Sequence, residues 1–450
     1  MAGQGENAIW RAHGRSILTL SLVTMATRYG IVVINIPTAI LVARLLGPEG
    51  QGIYTSALVF PTLFAFVGLL GIDASHTFLL SKKRYSLAQI NAQSVFLSAA
   101  LSTIAVPAYL VFIRFYGAPG GAEVTRILNI AAALIPVLMA KSLSVGLMLG
   151  LQEIRWFNRA SLIQASVLLV LMVLNLLVVR GGVMGALVVY LASEVVVTVV
   201  ALRVAKATVG SGPLLERPPP GLLKTSMVYG LQGHVGNVLV QLMFRVDTLI
   251  ILSMLGPAPL GIYSIAAVTA EKLLHLSQSV QIVLFPRLSS LDADEANELT
   301  PRVARSTFLL TVVAGSVLFL ISKPILLLFF GDAYLPGLRV LRILIPGVAL
   351  LSFTAILSGD FSARDRRIYH TVANAIGFGM NLLLCLVWIP RIGIEGAAWA
   401  STVAYTTQGV VMLVLFKRLS GRGILETVLV RREDLYACAS FLKGKLRSRR

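Results

Sequence analysis

The chain has 450 residues, of which 56% are hydrophobic and 13% charged, with a formal net charge of +19; its mean hydropathy is +0.83. Soluble globular chains carry about 25% charged residues, and a water-soluble core cannot hide this much apolar surface. Composition therefore excludes a soluble enzyme or binding module and predicts an all-α, polytopic membrane protein.

Apolar runs of about 20 residues, long enough to cross a bilayer, recur along the chain. They are predicted over 16–43, 51–71, 88–113, 127–150, 160–179, 183–202, 225–253, 259–285, 306–330, 338–359, 368–389 and 395–416, twelve in all. The first run is too long for a signal-peptide core and no clear A-x-A site follows it, so it is expected to be a retained helix. The loops are short and leave no room for an inserted soluble domain.

Lys and Arg residues in the loops set the expected orientation. With a cytoplasmic N-terminus, the inner loops carry fifteen: Lys82, Lys83, Arg84, Arg155, Arg159, Arg203, Lys206, Arg217, Lys224, Arg287, Arg302, Arg305, Arg364, Arg366 and Arg367. The outer side carries eight, Arg44, Arg114, Arg126, Arg180, Lys323, Arg339, Arg342 and Arg391, and the tail from Lys417 to Arg450 adds ten to the inner side. Both termini are thus expected inside. Most of the positive excess reflects this topology and the tail rather than nucleic acid. The tail "RREDLYACASFLKGKLRSRR" mixes apolar and basic residues and is expected on the inner leaflet, where each basic residue contributes about 1 kcal/mol. Cys385 falls in a span and Cys438 in the tail, which argues against a disulfide.

The stretch "RVAKATVGSGPLLERPPPGLLK", Arg203 to Lys224, is basic and proline-rich. Pro218, Pro219 and Pro220 cannot continue a helix, so it reads as a linker between the sixth and seventh spans. The sequence "LLGPEGQGIY" (Leu45 to Tyr54) nearly recurs as "MLGPAPLGIY" (Met254 to Tyr263) at an offset of 209. Each copy is read as the turn between the first and second spans of a half, with Gly-Pro ending one helix and starting the next. The expected organisation is an N-terminal six-helix lobe (1–204), a cytoplasmic linker (205–222), a C-terminal six-helix lobe (223–417) and a basic cytoplasmic tail (418–450). Six is even, so the halves are expected to be related by a pseudo-two-fold along the membrane normal, with a substrate site between them near midplane.

Several charges fall inside the spans, where each costs about 2.5–3.5 kcal/mol at the bilayer centre. They are Arg28, Lys141, Glu194, Arg245, Asp247, Glu271 and Lys272. Counting at about 1.5 Å per residue from the outer turns places Arg28, Lys141, Glu194 and Lys272 at one level close to midplane. Arg245 and Asp247 come out nearer the outer side. The repeat offset carries Arg28 to Asn237 and Arg245 to Ile36, so the charges themselves are not duplicated. A cavity lined by this set has a slight cationic bias and suits a phosphate or diphosphate headgroup better than a cationic drug. Arg28, Lys141, Arg245 and Lys272 are the candidate substrate-binding residues. Glu194 and Glu271 are candidates for ion coupling, and Asp247 for a partner of Lys272 or Arg245. His234 and His275 are read as helix–helix hydrogen-bonding residues before proton carriers.

No P-loop, H-E-x-x-H or cysteine cluster occurs, so no ATP site, metal or cofactor is expected. "GGVMG" (Gly181 to Gly185) is a turn and helix start. Asp73 and His76 are read as a helix-end pair before a catalytic one. A non-enzymatic transporter is the expectation.

Three stretches resemble bacterial polysaccharide (oligosaccharidyl-lipid) flippases of the multidrug/oligosaccharidyl-lipid/polysaccharide exporter superfamily. They are "ARLLGPEGQGIYTSALVF"; "FRVDTLIILSMLGPAPLGIYSIAAVTAEKL" followed by "VLFPRLSSL"; and "LLLFFGDAYLPGLRVLRILIPG" (Leu326 to Gly347). Their order and spacing carry the resemblance over about 15–417. It implies a MATE-like V of two six-helix bundles around a central cavity in the bacterial inner membrane. It also implies transfer of an undecaprenyl-diphosphate-linked oligosaccharide to the outer leaflet, for surface polysaccharide assembly. Implied partners are that lipid-linked glycan, membrane lipids, and polysaccharide polymerase and chain-length proteins. Lipid II flippases of the superfamily usually have fourteen spans, which counts against that subgroup. The alternatives are a multidrug cation antiporter of the same fold, disfavoured by the basic bias; a polymerase or ligase, disfavoured by short outer loops; and a non-transporting assembly partner.

Overall fold

A computed structural model describes residues 2–117, 120–288 and 291–429, and their side chains except those of residues 2–22, 282, 283 and 285–287. The described residues are almost entirely helical. The helices are α1 (Ala2–Gly68), α2 (Ile72–Ser81), α3 (Leu87–Tyr116), α4 (Gly121–Ala131), α5 (Leu134–Gly150), α6 (Ile154–Val173) and α7 (Gly182–Val209). There follow α8 (Leu222–Met243), α9 (Val246–Leu255), α10 (Pro257–Glu271), α11 (Leu274–Leu288), α12 (Ala293–Ile325), α13 (Gly337–Ala363), α14 (Arg367–Ser420) and α15 (Ile424–Val428). Short π-helical segments, Leu174–Val179 and Leu326–Phe330, extend α6 and α12.

Nine helical stretches among the described residues are long and apolar enough to cross a membrane. Two of them are too long for one crossing. Val23–Gly68 has 46 residues and Arg367–Ser420 has 54, lengths of about 70 and 80 Å at 1.5 Å per residue against a hydrocarbon core of about 30 Å. Each is broken inside: at Gly47 (φ 68, ψ 179), and at Ile392 and Gly393 (φ 64, ψ −143). A further passage is divided into α10 and α11, each of 15 residues. Separating these gives the twelve passages that hydropathy predicts.

The breaks have local causes. Gly47 and Gly256 both have positive φ, and Pro48 and Pro257 follow at once, a position where a missing N–H costs the helix nothing. The Gly47 backbone, with ψ near 180°, lies in a region that only glycine occupies without strain. Interruptions inside a span free backbone groups that lipid cannot satisfy, and buried side chains take them up. Asn381 Nδ2 donates to the Met243 carbonyl at 2.8 Å, beside the α8–α9 break. Tyr109 Oη donates to the Leu128 carbonyl at 2.8 Å, one turn before the α4–α5 break.

The chain forms two compact units, Met1–Val238 with Leu255–Gly261, and Leu239–Met254 with Ile262–Arg450. In the first, α1 packs on α6, α2 on α5, and α7 on both α5 and α6. In the second, α13 is the central helix, flanked by α11, α12 and α14. Both units are partly inside out. Phe115, Ile104, Val178 and Leu320 point outward, where a bilayer solvates them, while Asn374, Asn381, Gln408 and Asp360 are buried and bonded to other polar groups.

The two copies of the repeated turn meet inside the first unit. A Cβ on Gly52 would overlap the carbonyl oxygen of Pro257, and one on Gly261 would overlap that of Pro48. The contact is reciprocal, the glycine of each copy's Gly-Ile-Tyr lying under the other's proline. These residues, two separate turns along the chain, form one crossing in the tertiary structure. The tail from residue 430 onward, including Cys438, lies outside the described residues.

Candidate functional site

The seven membrane-embedded charges fall into two groups and two single residues. In the first unit, Lys141 of α5 and Glu194 of α7 form an ion pair, with side chains 27% and 2% exposed. Tyr190, one turn before Glu194 on α7, stands beside the same carboxylate. Tyr54, from the first copy of the repeated turn, lies close enough to feel its charge. A carboxylate this deeply enclosed needs such partners, because an isolated buried charge costs several kcal/mol.

In the second unit, Arg245 sits at the α8–α9 break and grips Glu271 at the end of α10. Its Nη1 and Nη2 donate to Oε1 and Oε2 at 3.2 and 3.3 Å. This fork is a geometry that lysine does not reproduce. Asp247, in the first turn of α9, is 3% exposed. Its Oδ1 accepts from the Thr248 backbone N–H at 2.6 Å and the Thr248 hydroxyl at 3.3 Å. Its Oδ2 accepts from Tyr263 Oη. The partner expected for Asp247 was Lys272 or Arg245; the direct partner is a tyrosine.

Arg28 of α1 and Lys272, in the α10–α11 interruption, are both exposed and form no ion pair among the described residues. Tyr54 and Tyr263 escape a reading built on charges alone. The signal for them was the repeat itself, since they are its closing residue in each copy and each stands beside a buried carboxylate.

The remaining candidates take structural partners. His234 Nε2 contacts the Val67 carbonyl at 3.3 Å, and its ring lies 5.3 Å from that of Phe66, so it ties α8 to α1. His275 Nδ1 lies 3.3 Å from Gln278 Oε1. Asp73 and His76 serve different neighbours rather than each other. Asp73 Oδ2 accepts from Ser142 Oγ at 2.9 Å, whereas the fully buried His76 lies 3.1 Å from Gln93 Oε1 and 2.9 Å from Ser94 Oγ. No cluster of three metal-ligating side chains occurs among the described residues. What the arrangement offers chemically is a set of cations within apolar helices, two held by glutamates and two without an ion pair among the described residues.

The profile of a family described as "Polysaccharide biosynthesis protein" matches residues 41–338, well over half the chain. An uncharacterized membrane protein of Methanocaldococcus jannaschii is 23% identical over 158 residues, 35% of this chain and 37% of that protein. The match thus spans well under half of that relative. Among solved structures, the lipid II flippase MurJ in an inward closed conformation superposes with a TM-score of 0.71 at 14% identity, covering 90% of each chain. An inward-facing multidrug resistance MATE family transporter of the MOP superfamily gives 0.69 at 15% identity, covering 89% of this chain and 98% of that one. A MOP superfamily transporter from Pyrococcus furiosus, described by the reverse polarity of its binding pocket, gives 0.64 at 15% identity, with 90% and 95% covered. At these identities the likeness is one of fold: all-α, MATE-like and MurJ-like, and multi-pass.

Proposed function

Because this chain belongs to the polysaccharide biosynthesis protein family, we propose that it is a flippase for a lipid-linked oligosaccharide. Its cargo is an undecaprenyl-diphosphate-linked repeat unit, moved from the cytoplasmic to the outer leaflet of the bacterial inner membrane for surface polysaccharide assembly. The lobes 1–204 and 223–417 provide alternating access, and both termini are cytoplasmic.

The observation that carries this reading is the cationic set, Arg28, Lys141, Arg245 and Lys272, placed within apolar helices. A diphosphate entering hydrocarbon loses its hydration, and fixed cations replace it while the polyprenyl chain stays in lipid. Arg28 and Lys272 are available as they stand. Lys141 and Arg245 are neutralised by Glu194 and Glu271; a diphosphate, bearing more charge than either carboxylate, competes for them. The carboxylate released in that exchange is then the group that takes up a coupling ion. Polysaccharide polymerase and chain-length proteins are the partners that receive the product.

The test is to delete the gene, extract lipid-linked glycans, and add a membrane-impermeant glycosidase to intact spheroplasts. The expected result is an accumulated polyprenyl-diphosphate oligosaccharide that stays protected until the membrane is opened. Cleavage from outside at normal levels would overturn the reading. The likeness to a multidrug MATE transporter supports a second reading, a cation antiporter of the same fold, which predicts drug sensitivity in the deletion strain with glycan lipids unchanged.

A further inference from the structure

A second basic site lies away from the membrane-embedded charges, where α2 and the start of α8 come together. Gly71 and Gly230 cross backbone to backbone: a Cβ on Gly230 would stand 2.7 Å from the Leu70 carbonyl oxygen. Two turns further along α2, the rings of Phe78 and Tyr229 stack at 4.3 Å with 11° between their planes. Above this stack is an open cavity of about 380 Å³, lined by Arg84, Lys224, Thr225 and Gln232 as well as the two aromatic residues.

The cavity's polar groups suit an anion. Two cations line it and no carboxylate does, and neither Arg84 nor Lys224 forms an ion pair among the described residues. Glu216, the acid of the adjoining linker, is engaged elsewhere, its carboxylate accepting from Ser86 Oγ at 2.9 Å. Lys224 and Thr225 lie in the first turn of α8, a 22-residue helix, whose dipole adds to the positive potential.

The surface leading away from the cavity suits a hydrocarbon chain. Val228, Leu231 and Val235 follow Lys224 at helical spacing on one face of α8, and they are 54%, 43% and 57% exposed. One helix face thus presents a cation, then an aromatic-floored cavity, then an apolar stripe running into the span. A soluble phosphate would make no use of the stripe; a lipid diphosphate would use both ends.

We infer that the Arg84–Lys224 cavity is a loading site for the diphosphate of a polyprenyl-linked substrate, whose chain lies along Val228, Leu231 and Val235. This rests on the flippase reading and extends it with a first binding step, on the face carrying Lys82, Lys83 and Arg84. That face is the one the distribution of basic loops assigns to the cytoplasm.

The experiment measures binding of undecaprenyl diphosphate to the full chain in phosphatidylcholine nanodiscs, for wild type and for Arg84→Gln/Lys224→Gln. Both residues are exposed, and a single monodisperse species by size exclusion verifies folding. Two charge-assisted contacts are removed, so binding is expected to weaken about tenfold or more. Lys224→Glu is expected to weaken it further. Undecaprenol, which lacks the diphosphate, should not compete, and inorganic pyrophosphate should compete only weakly. Equal affinity in wild type and double variant would overturn the site while leaving the flippase reading intact. Equal competition by phosphatidylglycerol would reduce the cavity to an ordinary lipid contact and also overturn it. Absence of wild-type binding would count against site and reading together.

Discussion

Lys141 and Glu194 illustrate how a charge is kept in an apolar helix. Glu194 is 2% exposed and is held by Lys141. Removing only the cation strands a buried carboxylate. Lys141→Met is expected to destabilise the protein by about 2–3 kcal/mol, below the 3–5 kcal/mol typical of fully buried pairs because Lys141 keeps partial exposure. Lys141→Met/Glu194→Leu should recover most of that loss, since an apolar pair of similar volume removes both charges from the site. Thermal unfolding of the three proteins in detergent checks this. A double variant less stable than the single one would mean that the pair contributes more than mutual neutralisation. The presence of these charges was legible in the sequence. Which of them pair was not, because counting along a helix gives depth but not the direction in which a side chain points.

At the scale of elements, the reciprocal crossing of the two Gly-Ile-Tyr helices explains why the turn occurs twice. Gly52 and Gly261 each face a backbone carbonyl with no room for a methyl group. A backbone atom cannot give way as a flexible side chain can. Gly261→Ala is therefore expected to cost more than about 3 kcal/mol, read as loss of monodisperse protein on extraction. Gly233, in the middle of α8, has nothing within 4 Å of its hypothetical Cβ, and Gly233→Ala is expected to be neutral or to stabilise by about 0.5–1 kcal/mol. If both variants behaved alike, the crossing would not be a constraint. Hydropathy also foresaw the long apolar helices found among the described residues, because lipid selects on hydrophobic length. It was silent on the breaks within them at residues 132–133, 244–245 and 272–273. Those are stabilised by distant groups such as Asn381 and Tyr109, whose approach depends on packing.

For the whole molecule, the flippase reading makes Arg28 a sharp probe. It is exposed and forms no ion pair among the described residues, so Arg28→Glu should leave abundance and stability within about 0.5 kcal/mol of wild type. The same change places a negative charge on the proposed diphosphate path. Surface polysaccharide output in a deletion strain carrying this variant is expected to fall about tenfold or more, one repulsive contact being enough to shift the balance by about 1.4 kcal/mol. Normal output with normal abundance would remove Arg28 from the path. The cation-antiporter reading predicts the opposite direction, with drug export maintained or improved by the added carboxylate.

The membrane environment, the apolar helices, the duplicated turn and the cationic character of the embedded charges are all legible in the amino-acid order. All of these are local or compositional, and a bilayer imposes them residue by residue through the cost of exposing polar groups to hydrocarbon. Folding in three dimensions made the two turns a single crossing. It also decided that Asp247 answers to Tyr263 rather than to Lys272, and that Arg84 and Lys224, 140 positions apart, share one cavity. Each of these depends on which helix faces meet. Packing of many side chains at once selects those faces, and no single stretch of sequence encodes them.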